Sequence, residues 1–352
     1  MKGQVYKQQG NIGLFDFDEN MNKLNKIGNP LSKLSKAVDF EMFRETLENG
    51  LYRKKMTNAG AKPYDYVMMF KALVLQRMYH LSDEQVEYQI IDRTSFRDFL
   101  GLSSGDKVPD AKTIWSFREQ LTKQNLFDKL FDDFYKFLEA KHLIMNEGVI
   151  IDGSFVDVPR QRNSREENKK IKNGEGDTLW NGDDEKNKKH HKDTDARWTK
   201  KNGERHYGYK NHAKIDARSK LIKKGVTTDA SVHDSKPTKE LVDKTDEGQP
   251  LFADSAYIGK GVKGIMRKFK MKDRIIKRNV RGKKISKRQD TINKKNSMTR
   301  SRVEHVFGFC EQGMSGMFSR AVGLVRNMAL NTLTNLVYNM NRFEQIMRLG
   351  MN

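Results

Sequence analysis

A carboxylate sits in the middle of the most strand-like segment of the chain. GVIIDGSFVDV (148–158) is β-branched and apolar, which reads as a buried strand, yet Asp152 lies within it among Ile150, Ile151 and Phe155. A charge in such a setting is costly unless a metal ion or a charged partner compensates it. The segments that follow are of the same kind. HYGYKNHAKIDA (206–217) alternates as a strand, Ala217-Arg218-Ser219-Lys220 reads as a turn, and LIKKGVTTD (221–229) as the return strand. PLFADSAYIG (250–259) is a further short strand ending in an acid, and DRIIKR (273–278) is strand-like. Helical stretches at 260–270 and 293–310 interleave with these strands, so the pattern predicts an α/β domain with a mixed sheet.

The chain before this point has a different period. Residues 34–145 read as helical, and in 64–80 the positions Val67, Phe70, Leu73, Val74 and Tyr79 recur close to every 3.6 residues. Ser82 and Gln85 predict a capping box ahead of a helix over 83–92. Asp110 predicts the cap of a helix over 111–123, and an amphipathic helix follows over 126–141. Short helices joined by polar turns suit a DNA-binding or dimerisation bundle, or equally a plain scaffold. The predicted organisation is an extension over 1–33, a helical domain over 34–145 and an α/β domain over 146–345.

Charge narrows the partners. Lys and Arg number 67 against 46 Asp and Glu in 352 residues, a net charge of +21. DNA, RNA or an anionic membrane would each answer that imbalance. The charge is concentrated: 260–302 holds 18 Lys/Arg against two Asp, which points to phosphate contact rather than a solvated face alone. Residues 160–205 carry 14 Lys/Arg and 10 Asp/Glu with few apolar residues, so a mobile charged insertion is predicted there. One cysteine, Cys310, excludes an internal disulfide framework and a cysteine-based zinc site. No run approaches the ~18 apolar residues that would span a bilayer, and the N-terminus has no signal-peptide pattern, so a cytoplasmic protein is expected. A membrane-surface reading would need a basic amphipathic helix with exposed large apolar residues, which 260–302 lacks.

Two further acids stand out. Asp254 follows Leu251, Phe252 and Ala253 at a strand end, where open α/β sheets place functional residues. Glu304 lies on a helix four residues after Arg300, on the same face. Singly, each aspartate also reads as a strand-end cap or ion-pair partner, and Glu304 as half of an Arg–Glu pair. Three carboxylates brought together without a cation would repel one another and hold protons. Two Mg²⁺ ions ~3.5–4 Å apart would remove that penalty and supply phosphoryl-transfer chemistry.

IIDGSFVDVPRQ (150–161), HYGYKNHAKIDA (206–217), TDASVHDSK (228–236), LFADSAYIG (251–259) and TRSRVEHVFG (299–308), in this order, resemble the DDE transposases of bacterial insertion sequences, specifically the insertion-sequence-five group. DAKTIWSFREQL (110–121) is similar to that group's N-terminal domain, and the likeness runs from about 35 to 345. The resemblance implies a ribonuclease-H-like catalytic domain: a five-stranded mixed sheet with flanking helices, preceded by an all-α domain. It also implies catalytic, metal-binding roles for Asp152, Asp254 and Glu304, two Mg²⁺ ions with Mn²⁺ able to substitute, and double-stranded DNA as partner. Cleavage at element ends and transfer of a 3′-OH into target DNA would follow, by a homodimer in the active complex associated with the bacterial nucleoid. Relatives often carry a Tyr three residues before the Arg and a Lys seven after the Glu. Here those places hold Ser297 and Glu311, so those two roles are not carried over.

The expected DNA contacts are Arg300, Arg302 and Lys210, with Lys277, Arg278 and Arg281 in the basic run. Arg300 reads either as a phosphate anchor or as the helix partner of Glu304. Tyr207 and Tyr209 read as channel lining or sheet packing, His212 as a core histidine, and His233 as a phosphate contact or a turn residue. Trp180 and Trp198 read as stacking platforms for an unpaired base or as local packing. A nuclease that cuts without joining strands, and a DNA-binding regulator without catalysis, are the alternatives.

Overall fold

The computed structural model describes residues 13, 15–51, 62–201, 203–279, 284–314 and 316–350. The first half is helical: α1 (Asp16–Ile27), α2 (Pro30–Ala37), α3 (Arg44–Leu51), α4 (Tyr66–Met78), α5 (Asp83–Asp92), α6 (Thr94–Leu100), α7 (Ala111–Lys123) and α8 (Leu126–Ala140). The predicted starts are where the caps put them. Ser82 and Gln85 exchange the two bonds of a capping box at α5, and the Asp110 carboxylate accepts from the Thr113 N–H at α7. Each satisfies main-chain donors that the first turn leaves without helical partners.

Then come β1 (Val149–Asp157), α9 (Arg165–Lys172), α10 (Lys186–His191), β2 (Arg197–Lys201), β3 (Glu204–Asp216) and β4 (Ile222–Asp229). The chain continues through α11 (Thr238–Leu241), β5 (Pro250–Phe252), α12 (Lys260–Lys268), β6 (Lys272–Asp273), α13 (Lys287–Arg300), α14 (Arg302–Gly308) and α15 (Leu324–Leu349). Along 209–215, β3 lies between β1 and β4, antiparallel to both. β5 runs parallel to β1, and β6 parallel to β5. The order β4-β3-β1-β5-β6, three antiparallel strands followed by two parallel to the first, is the ribonuclease-H-like arrangement. A sixth strand, β2, pairs with the outer part of β3. β5 and β6 are shorter than predicted, but their ladder continues: Arg274 and Ile276 donate to the Leu251 and Ala253 carbonyls.

The sequence reading of two regions is corrected here. The stretch 160–205, read as a mobile insertion, contains α9, α10 and β2. Its few apolar residues suffice because Ile171, Leu179 and Trp180 cluster, and Asp193 accepts the Tyr209 hydroxyl at 2.7 Å while binding the Asp195 and Ala196 N–H groups. Of the segment predicted as an extension, the described residues include the buried Met21 and Leu31. The helices of 34–145 do not close a core of their own. One apolar core runs from Leu31 through α4 and α8 to Ile150, Ile215 and Ile222 of the sheet.

The element that joins these layers is α15, which the sequence reading did not single out. Leu333, Leu336, Val337, Met340 and Phe343 fill the shared core, and Phe343 meets Phe134 and Phe137 edge-on. Asn327, Asn331, Asn335 and Asn339 form a second, polar stripe at four-residue spacing, all buried. Asn339 holds both the N–H and the carbonyl of Ile222, Asn335 pairs with Asn211, and Asn331 donates to Thr227. Buried amides of this kind stabilise only where they find partners, and among the described residues the Asn327 oxygen finds none. Close approach needs Gly225, where a Cβ would fall 2.4 Å from the Asn335 amide nitrogen.

A charged cluster anchors the other side of the β3–β4 hairpin. The Lys214 ammonium lies 2.9 Å from Asp243 and 2.7 Å from Asp246, and Lys223 lies 3.0 Å from Asp246. Lys214, Lys223 and Asp246 are all buried.

Candidate active site

Asp152 and Asp254 occupy equivalent places on neighbouring strands. Ile150 pairs with Phe252 in parallel register, and each aspartate lies two residues further on. Paired strands are ~4.8 Å apart and side chains alternate with period two, so both acids come to the same edge of the sheet on the same face. The chain turns immediately after Asp254, whose carboxylate caps the short 3₁₀ turn Ser255–Tyr257 by accepting from the Ala256 N–H at 2.8 Å.

Glu304 reaches this pair through Arg300. The Arg300 guanidinium donates to Asp152 Oδ2 and to Glu304 Oε1, each at 2.7 Å. Val303 and Val306 anchor α14 in the core and leave Glu304 exposed on it, and Arg300, the last residue of α13, stands four positions before. Arg300 is therefore both the helix partner of Glu304 and a bridge to the sheet. Asp152 is 14% exposed and Glu304 62%, so one end of the bridge is shielded and the other solvated.

Burial pushes the Asp152 carboxyl up to about 6, with the Asp254 charge adding to it, while the Gly153 N–H and Arg300 pull the other way. The Tyr257 hydroxyl is buried without a hydrogen-bond partner among the described residues, and burial together with Asp152, Asp234 and Asp254 raises it well above its ordinary value. Negative charge is thus gathered here, opposed at Asp152 by the Arg300 guanidinium and, more weakly, by Lys201. Among the described residues, no three His, Cys, Asp or Glu side chains are grouped closely enough to hold a metal ion. The two aspartates stand in matching register, and Glu304 is linked to Asp152 through Arg300. The donor set still fits a hard divalent cation: carboxylate oxygens, with an electrostatic penalty that a cation would relieve.

Gly153, next to Asp152, lets β3 approach. A Cβ there would stand 2.7 Å from His212 Nδ1. His212 is fully buried beside it, its Nε2 3.0 Å from the Thr228 hydroxyl. Burial lowers its pKa to about 4, with Lys210 and Lys201 acting in the same direction against Asp234. An unfolded histidine titrates near 6.5. As pH falls from 6.5 to about 4, the unfolded chain takes up a proton that the folded chain refuses, so stability is lost across that window. The loss amounts to ~3 kcal/mol if the whole shift is realised. Urea unfolding of the wild type and His212→Gln at pH 7 and pH 4.5 should show a smaller pH dependence in the variant.

The other expected residues divide. Lys210 is buried, its ammonium 2.8 Å from Asp234 and 2.7 Å from the Val232 carbonyl, so its expected role as a DNA contact is corrected to an internal ion pair. Tyr209 packs in the sheet against Asp193, and Tyr207 is likewise buried. His233 holds Ser235 within a turn. Trp180 is buried and donates to Glu167, which makes it local packing, whereas Trp198 is 49% exposed. Arg302 is half-buried and donates to the Ala217 carbonyl, Lys277 is 2.6 Å from Asp273, and Arg278 is exposed. Arg281 lies outside the described residues. Asp234 and Tyr257 were not singled out as part of the acidic cluster. Their signal was available, since both stand in short motifs, TDASVHDSK and LFADSAYIG, beside assigned residues.

The chain matches known families over most of its length. Residues 19–120 match the family described as Transposase domain (DUF772), and residues 145–340 match Transposase DDE domain. Among solved structures, the fold is similar to that of a piggyBac transposase, determined by cryo-EM as a synaptic complex with hairpin DNA. That similarity has 14% identity, covers 93% of this chain and 77% of the other, and has a TM-score of 0.43. With the DDE match spanning more than half its length, and both aspartates at the edge of a ribonuclease-H-like sheet, the chain belongs to the DDE transposase family.

Proposed function

We propose that this transposase cleaves DNA at the ends of its own element and joins the freed 3′-OH to target DNA, with Asp152, Asp254 and Glu304 as its catalytic acids. The observation that carries the reading is the register-matched pair Asp152 and Asp254, tied to Glu304 by one arginine. Asp152 and Asp254 would hold Mg²⁺, with Glu304 joining them once Arg300 lets it go; the ion would supply activation of the attacking hydroxyl and stabilisation of the leaving oxygen. Arg300 keeps the acids neutralised in the absence of DNA. Its planar fork suits phosphate oxygens as well as carboxylates, so it passes from Asp152 and Glu304 to a phosphate beside the scissile bond when DNA arrives. Burial keeps water away from the Asp152 side of this exchange.

The exposed face of 260–302 supplies non-specific attraction to the duplex, with Arg278 free to reach phosphates. The helices of 34–145 serve element-end binding or pairing of two protomers, and their packing on the sheet through α15 couples that task to the active site. Incubating the protein with a precleaved element end, a supercoiled target and Mg²⁺ tests the proposal. Covalent joining of the end to the target is expected. Cleavage of intact ends without any joining under the same conditions would favour a nuclease and sink the transfer step.

A further inference from the structure

Between α14, α15 and the β3–β4 turn lies a cavity of about 330 Å³ whose walls include Lys220, His305, Tyr338, Arg342 and Arg348. Lys220 belongs to the β3–β4 turn, His305 to α14 and the other three to α15. The turn is rigidly built. Asp216 accepts from the Arg218 and Ser219 N–H groups, and the Tyr338 hydroxyl donates to the Lys220 carbonyl at 3.0 Å. Lys220 itself has a left-handed backbone, φ 63°.

The cations around this cavity are positioned by carbonyls rather than neutralised by acids. Arg342 Nε donates to the Ser219 carbonyl at 2.8 Å, and Arg302, beside the cavity, donates to the Ala217 carbonyl at 2.5 Å. Among the described residues, Lys220, Arg302 and Arg342 have no carboxylate within ion-pair distance, and the cavity's own acid, Glu344, is held by Arg348 at 2.8 Å. Burial and the charges of Arg342 and Arg302 lower the Lys220 pKa, which shows the cations crowding one another. Concave, half-desolvated and unneutralised positive charge selects a compact multivalent anion.

We propose that this cavity seats a backbone phosphate of duplex DNA, distinct from the scissile phosphate. His305 of the cavity wall and Glu304 share the single short helix α14, so a duplex laid across that helix would meet both. The identity of the anion as DNA rests on the transposase reading; the anion site itself does not.

The test is binding of a fluorescent duplex by anisotropy across a salt series, with the full-length wild type, Lys220→Asn, Arg342→Lys and Arg342→Gln. Asn tolerates the left-handed turn, and Lys at 342 retains the charge. Lys220→Asn and Arg342→Gln should weaken binding uniformly across sequences and each reduce the salt slope by about 1, with Arg342→Lys close to wild type. Wild-type melting temperatures are the condition for scoring a variant. Unchanged affinity and slope in both neutralised variants would overturn the proposal. So would calorimetric binding of inorganic phosphate that these substitutions abolish without altering DNA affinity, since the site would then serve a free anion. A reduced slope in a protein that joins no ends would leave the phosphate site standing and remove the transfer reading alone.

Discussion

Asp254→Asn is expected to reduce Mg²⁺-dependent cleavage of element-end DNA by on the order of 10³-fold or more, leaving duplex binding and fold intact. The argument is local. Asparagine keeps the Oδ1 that accepts from the Ala256 N–H, so the 3₁₀ turn after β5 retains its cap. The lost charge is one that raises the Asp152 carboxyl, so the folded protein is relieved of repulsion rather than stripped of a partner. Asp152 keeps its bond from Arg300, and Arg300 keeps Glu304. What disappears is one of the oxygen donors a divalent cation would use. A gel assay of labelled substrate, with thermal melting in parallel, checks both halves. Cleavage within tenfold of wild type would remove Asp254 from the catalytic set.

Asp246→Ala is expected to destabilise the fold by ~3–5 kcal/mol, the range for removing one partner of a buried ion pair. Here one carboxylate serves two lysines. Lys223 would keep only its 2.9 Å bond to the Asn146 side chain, and Lys214 only the partly exposed Asp243. Asp246 itself has no solvent exposure, so water cannot take its place without opening the β4–α11 side of the sheet. A triple replacement, Asp246→Leu with Lys214→Met and Lys223→Met, should recover much of the loss, because the desolvation cost of three charges goes with them. Urea midpoints distinguish the outcomes. A single Asp246→Ala variant with wild-type stability would mean that the lysines find solvent and that the cluster is not buried in solution.

Much of the architecture was readable from local chemistry. Ser82, Gln85 and Asp110 announced their helices through side-chain caps, and the β-branched run around Asp152 announced β1, because these signals act over four or five residues. α15 was not read because its buried face is partly polar. Asn327, Asn331, Asn335 and Asn339 break the apolar period, and only the fold shows that Thr227, Asn211 and Ile222 of the sheet partner the last three, while Asn327 donates to the Ala321 and Gly323 carbonyls. The insertion around Trp180 misled for the opposite reason. Charge density predicts an unfolded chain, but Glu167 and Asp193 are spent on the Trp180 and Tyr209 side chains.

The site itself was legible as residue types and not as geometry. Asp152, Asp254 and Glu304 stood in recognisable motifs, but the position of Arg300 between two of them depends on how α13 and α14 meet β1. Lys210 shows the limit most plainly. Its sequence neighbours suggested a DNA contact, whereas the Asp234 side chain, 24 residues on, holds it inside the fold.

The proposed chemistry requires the acids around Arg300 to form one cation-dependent site. Anomalous diffraction from crystals of the protein bound to element-end DNA and soaked in Mn²⁺ addresses this directly. The account predicts a manganese peak ligated by both Asp152 and Asp254, with Arg300 moved from Asp152 to a phosphate. Well-ordered DNA at the site with Arg300 still bonded to Asp152, and no peak at either aspartate at saturating Mn²⁺, would contradict it.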